Sequence, residues 1–224
     1  MDFQLKVKAN DKIFLRDPEG SDLGRKILRE SIVMINELGF EHFTFKKLAL
    51  QIDTTEAGIY RYFENKHKLL VYLITWYWGV MEYLVLFHIN NISNTEKKIK
   101  KVIDLLSKEI VDNVIDDSID RLAFYQIVVA ESNKVYLTKE VELYNKDQIF
   151  KPYKDLCKRI AFLFSEYNSK YKFPHSLAST LLEMSHSQYF FMKNLPSLTD
   201  FGKEKTNDKL VDFLNVLVFS NLKK

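Results

Sequence analysis

Apolar residues recur every three to four positions along most of the chain, and breakers are few: Gly20, Gly24, Gly39, Gly58, Gly79, Gly202, Pro18, Pro152, Pro174 and Pro196. That combination predicts an all-α fold. The first clear stripe, Ile27, Leu28, Ser31, Ile32, Ile35 and Leu38, predicts a helix from about Asp22 to Leu38 that Gly39 closes. Two short segments follow at about 45–51 and 56–63, then a long apolar helix from Lys66 to about Ile89. Further helices are expected near 95–115, 118–131, 137–168, 175–193 and 204–222, about nine in all. Before Asp22 the pattern fails. Phe3, Leu5 and Val7 alternate with polar residues and Asp17-Pro18-Glu19-Gly20 is a turn signal, so residues 1–21 are expected to be an extended or disordered arm.

Two short helices joined by a tight turn and backed by a longer one make a helix-turn-helix. Thr44 stands where the first short helix needs an N-cap, Leu48 and Ile52 give it an inward face, and Ala49 is small where a second helix must cross closely. Thr55 caps the next helix, in which Ile59 and Phe63 share a face. Thr55, Glu56, Tyr60 and Arg61 then point largely the other way, as a groove-reading helix requires. Asn65 is a cap for the long helix, but its first turn holds Lys66, His67 and Lys68. Cations there oppose the positive end of the helix dipole, a conflict that phosphate binding would resolve.

Charge and composition narrow the reading modestly. The net charge of +3 does not announce nucleic acid, so the case rests on residues 44–70, where five basic residues face three acidic ones. A hydrophobic share of 46% with 28% charged residues describes a soluble globular chain with a real core. A single cysteine, Cys157, excludes an internal disulfide and any cysteine-based zinc site, and suits a reducing compartment. No signal peptide is visible, and the apolar stretch Leu69–Ile89 carries Glu82 and His88 and has no companion. A buried core helix, no membrane contact and a cytoplasmic location are therefore expected.

From Phe45 to Lys66 the chain resembles the signature of the TetR (tetracycline-repressor) family. It has the Leu48-Ala49 pair, the turn, the Thr55 cap, the Tyr60-Arg61-Tyr62-Phe63 segment and Lys66 opening the next helix, all in register. The resemblance covers about residues 22–70. It implies that Thr44, Thr55, Tyr60 and Lys66 contact DNA phosphates, that Gly58 and Arg61 lie closest to bases, and that Lys47 and Tyr62 are further candidates. Two departures stand out. Asp53 occupies the turn position where the family usually has Gly, a substitution the left-handed conformation tolerates. Gly58 weakens its short helix by up to about 1 kcal/mol relative to Ala.

The resulting expectation is a three-helix helix-turn-helix domain over 22–70 followed by a helical-bundle ligand-binding and dimerisation domain over 71–224. Aromatic density behind residue 70 and the resemblance point to a small apolar ligand, in a cavity bounded by the helices near 71–89, 98–115, 118–131 and 140–165. Surplus apolar surface on 175–193 and 204–222 points to a homodimer. The chain is read as a ligand-released repressor of a near-palindromic operator in double-stranded DNA. The alternative is a helical interaction protein whose helix-turn-helix no longer binds DNA. A metal-dependent oxidoreductase would need a second copy of the Glu183-x-x-His186 spacing, and no glycine-rich phosphate loop or nucleophile motif is present. No enzyme activity, cofactor or metal is therefore expected.

Overall fold

The structure, a computed structural model, describes residues 9–110, 115–203 and 206–223. Among them are eleven α-helices, two short 3-10 turns and no strand. The helices are α1 (Asp22–His42), α2 (Phe45–Gln51), α3 (Glu56–Tyr60), α4 (Lys66–Ile89), α5 (Thr95–Leu106), α6 (Arg121–Glu131), α7 (Asn133–Tyr136), α8 (Val141–Lys146), α9 (Lys151–Tyr167), α10 (Pro174–Asn194) and α11 (Asn207–Leu222). The chain divides into two compact units. One comprises Met1–Val80 and Val111–Lys151, the other Met81–Ile110 and Pro152–Lys224.

In the first unit α1 packs on α2 and on α6, and α2 crosses α3. Its core takes Ile27, Leu28, Ile32 and Ile35 from α1, Leu48, Ala49 and Ile52 from the α2 segment, Ile59 and Phe63 around α3, and Leu69–Leu73 from α4. Leu38, expected on the inward stripe, is 38% exposed instead, because the helical path changes one residue later. Gly39 adopts φ 74° and ψ 153°, a region essentially closed to side-chain-bearing residues. This kink turns the chain into Phe40–Phe43, whose last N–H still donates to Gly39 O at 3.2 Å. The long helix α4 is apolar all round because it is buried: 83% of its most apolar window, long and apolar enough to cross a membrane, lies inside the fold.

The second unit packs α10 against α11 and both against α5. Leu210, Leu214, Val218 and Leu222 form the buried stripe of α11, and Leu177, Leu181, Leu182 and Met192 that of α10. Glu82 of α4 pairs with Arg159 of α9 at 3.4 Å.

Two expected helices differ from what forms. The pattern over 137–168 breaks after α8. Gln148 takes a left-handed φ of 60°, and Pro152 sits in the first turn of α9, where its missing N–H costs nothing, whereas a helix running through it would lose a hydrogen bond. Apolar residues keep helical spacing across the break, which hides it from a periodicity reading. The helix expected over 95–115 stops at Leu106; residues 111–114, in its last expected turn, lie outside the described residues. So do residues 204 and 205 of the last expected helix, which starts at Asn207, and residues 1–8 of the arm.

Candidate nucleic-acid interface

The candidate surface is built by caps. Thr44 Oγ1 accepts the Lys47 N–H at 3.2 Å to start α2, and Thr55 Oγ1 accepts the Gly58 N–H at 3.1 Å to start α3. Each hydroxyl spends a lone pair on its helix and keeps its proton, so an exposed threonine can cap and still donate to a phosphate oxygen. Both threonines are exposed.

Between the helices the chain closes a Schellman motif. The Thr54 N–H reaches Ala49 O at 2.9 Å and the Asp53 N–H reaches Leu50 O at 3.5 Å, with Asp53 left-handed at φ 54°. Asp53 thus fills the position usually given to glycine. Lys26 of α1 donates to Ile52 O at 2.8 Å, placing a cation at the negative end of α2.

On the outer face of α2 and α3 lie Lys46, Lys47, Leu50, Gln51, Glu56, Ala57, Tyr60 and Arg61, all exposed. Lys47 Nζ donates to His42 O at 2.9 Å and retains two further donors. The Tyr60 ring packs edge-on against Phe45, 5.1 Å between centroids, yet the residue stays 47% exposed. Arg61 follows α3 in a helical conformation at φ −68° and is exposed. Gly58 is half-buried, and a Cβ there would lie 3.0 Å from Thr54 Oγ1, so even alanine requires Thr54 to shift. The glycine that costs the helix propensity also lets α3 sit close to its own turn.

Two of the expected contact residues are engaged within the chain. Tyr62 is buried, at 2% exposure, and its hydroxyl pairs with Ser21 Oγ at 2.7 Å, so its ring belongs to the interior of the domain. Lys66 Nζ lies 2.9 Å from Phe40 O, 3.0 Å from Glu41 O and 3.1 Å from Phe43 O, with the Phe40 ring centroid 4.7 Å away. An ammonium has three N–H donors, and three carbonyls take them. The other basic side chains of that turn are engaged too: His67 Nε2 pairs with Lys134 O at 3.1 Å, and Lys68 Nζ sits 4.7 Å over the Tyr144 ring. The electrostatic conflict at the start of α4 is therefore relieved within the chain, by carbonyls at the end of α1 and by an aromatic face.

Behind the reading surface is a polar junction. Glu131, at the end of α6 and only 8% exposed, accepts the Phe40 N–H at 3.2 Å and also pairs with Lys134. Lys134 in turn reaches Glu41 at 3.4 Å. The corner that feeds α2 is thus held from α4 by Lys66 and from α6 by Glu131. Sequence reasoning missed Glu131, Lys134 and Lys26, because the groups that tie them to this corner, the Phe40 N–H, the Glu41 carboxylate and Ile52 O, lie far away in the chain.

A family model for bacterial regulatory proteins of the tetR family matches residues 27–73. The helix-turn-helix domain is of the tetR family. The matched segment spans α1 to the first turns of α4, the region built above. No curated protein matches the chain by sequence. Several solved structures share the fold over most of their length. AibR, in complex with isovaleryl coenzyme A and operator DNA, aligns with TM-score 0.58 at 18% identity over 84% of this chain and 96% of that one. The FadR regulator of Bacillus subtilis, in complex with stearoyl-CoA, aligns with TM-score 0.54 at 17% identity over 87% and 97%. A putative fatty acid metabolism regulator of Clostridium perfringens aligns with TM-score 0.58 at 14% identity over 88% and 97%.

Proposed function

We propose that this tetR-type protein is a ligand-released repressor that binds a near-palindromic operator as a homodimer. The observation that carries the DNA reading is the outer face of α2 and α3, where Thr44, Lys47, Thr55, Tyr60 and Arg61 stand exposed around Gly58. Thr44, Thr55, Lys47 and Tyr60 are the phosphate contacts and Arg61 the base contact. Gly58 allows close approach. Tyr62 and Lys66 serve this surface from behind, as internal supports. Arg61→Ala is expected to relax preference at one base pair by about 1–3 kcal/mol, read in a randomised operator library. Uniform weakening at every position would make Arg61 a positioning contact, and no binding by the wild type to any duplex would favour the interaction-protein reading.

The ligand reading rests on the aromatic cluster of the first unit. Tyr72, Trp76 and Tyr77 of α4 meet Phe124 and Tyr125 of α6, with Trp76 and Phe124 centroids 5.2 Å apart. The Tyr72 hydroxyl and the Trp76 indole N–H are buried, one turn apart on α4, and have no hydrogen-bond partner. Orphaned buried donors are rare in folded proteins, and a ligand carrying acceptor oxygens would satisfy them. Acyl-CoA thioesters are the first compounds to test by thermal shift, since AibR and FadR were solved with them.

The dimer reading rests on α10 and α11, where a narrower apolar surface than the pattern suggests stays open. Phe213 is 38% and Val216 65% exposed, one turn apart on α11, and Met184 and Phe191 on α10 are half-buried. Wild-type protein at micromolar concentration is expected to scatter light as a dimer and the Val216→Asp variant as a monomer. A monomeric wild type would remove the palindromic operator from the proposal.

A further inference from the structure

Residues 10–21, part of an arm expected to be extended or disordered, lie fastened across the first unit. Ile13 is buried at 1% exposure, and Phe14 packs edge-on against Tyr72 with centroids 6.0 Å apart. The Leu15 N–H donates to Tyr62 O at 2.7 Å, and the Arg16 guanidinium lies 5.3 Å over the Tyr62 ring. Ser21 Oγ closes the far side on the Tyr62 hydroxyl. At the other end Asn10 Nδ2 donates to Asp147 O at 2.8 Å and Lys12 Nζ pairs with the Asp147 carboxylate at 2.5 Å. Tyr62 stands just past α3, and Asp147 stands in the turn after α8 beside left-handed Gln148.

Gly24 shows that this path is built into α1. A Cβ on Gly24 would lie 2.1 Å from Pro18 O and 2.7 Å from Pro18 Cα, so the Pro18 backbone occupies the space of the missing side chain. Glycine inside a helix costs about 1 kcal/mol relative to alanine, and here the close approach of a second backbone is its reason.

We propose that residues 10–21 form a strap that sets the position of α3 against DNA, with Gly24, Leu15 and Asp147 as its positioning residues. The strap joins the end of the reading helix to the turn after α8, so any shift of that turn is felt at Tyr62. α3 is only five residues long and cannot hold itself in place by its own hydrogen bonds. The strap supplies the missing restraint: a backbone hydrogen bond and a ring contact at Tyr62, two residues beyond the end of α3. This inference rests on the DNA-binding reading for its consequence, though not for its geometry.

Hydrogen exchange on the full chain separates the two. Gly24→Ala should eject the Pro18 backbone while improving α1. Leu15→Pro should remove the one N–H that reaches Tyr62, and Phe14 before it is already extended at φ −141° and ψ 156°, as a residue preceding proline must be. In both variants amides of 10–20 and of 56–63 should exchange roughly tenfold faster, with 27–35 and 174–194 unchanged. Affinity for a duplex selected by the wild type should fall by about tenfold with the same salt slope, because no phosphate contact is lost. Loosening of 10–20 alone, with 56–63 exchanging as in the wild type, would overturn the strap, and so would unchanged exchange at 10–20. A wild type that binds no duplex defeats the DNA reading, while the exchange pattern still decides the strap.

Discussion

Lys66→Met will lower the stability of the protein by about 2 kcal/mol and weaken DNA binding without changing its salt dependence. The three donors of Lys66 are held by Phe40 O, Glu41 O and Phe43 O, at the end of α1 where carbonyls have no helical partner. Removing the ammonium leaves those carbonyls to water, and a hydrogen bond to a charged group contributes about 1.5–3 kcal/mol. The corner they belong to carries Thr44, so its loosening displaces the first turn of α2. A phosphate ligand behaves otherwise: its loss would reduce the slope of log affinity against log salt by about 0.9. Chemical denaturation of both proteins, with salt titrations on one duplex, measures the two effects. A reduced slope with unchanged stability would return Lys66 to the phosphate contacts.

Acid will weaken the second unit through His186. Burial in α10, at 6% exposure, pushes its imidazolium pKa down to about 4 from the usual 6.5. The folded chain keeps this ring neutral while the unfolded chain takes up a proton below about 6.5. Stability is therefore complete above pH 6.5 and falls as pH drops toward 4, where the loss levels off at about 3 kcal/mol. Asp104, whose carboxyl is held low by Lys108 and Lys101 against the opposing effect of burial, and Asp116, held low by the Ser118 N–H, act in a lower window, where carboxylates titrate. Denaturant unfolding at a series of pH values should give a slope between pH 4 and 6.5 that His186→Gln abolishes. Parallel curves for the two proteins would mean that this histidine is not held neutral. Glu183, one turn earlier, accepts the Tyr153 hydroxyl at 2.7 Å, an ordinary structural role for half of a Glu-x-x-His spacing.

Much of this architecture follows from local sequence, because the forces involved are local. Thr44, Thr55 and Asn65 cap the helices they precede, through hydrogen bonds spanning three residues. The stripe of α1 and the pair Ile59 and Phe63 are buried as their spacing requires. Asp53 turns left-handed where a short polar side chain can replace glycine. Such features depend on backbone geometry within one or two turns, and the residue pattern states them directly.

Tertiary contacts decided the rest. Lys66 and Lys68 look the same in sequence, yet one is held by the carbonyls at the end of α1 and the other lies over Tyr144. Tyr60 and Tyr62 are two residues apart in one aromatic run, and only Ser21 and the strap explain why the second is interior. Gly24 reads as a weak point of a helix until the Pro18 backbone is seen against it. A cation, a ring or a missing Cβ takes its role from a partner that the chain brings from many residues away. Periodicity reports which face of an element is apolar; it carries no record of which distant backbone group will meet a given side chain.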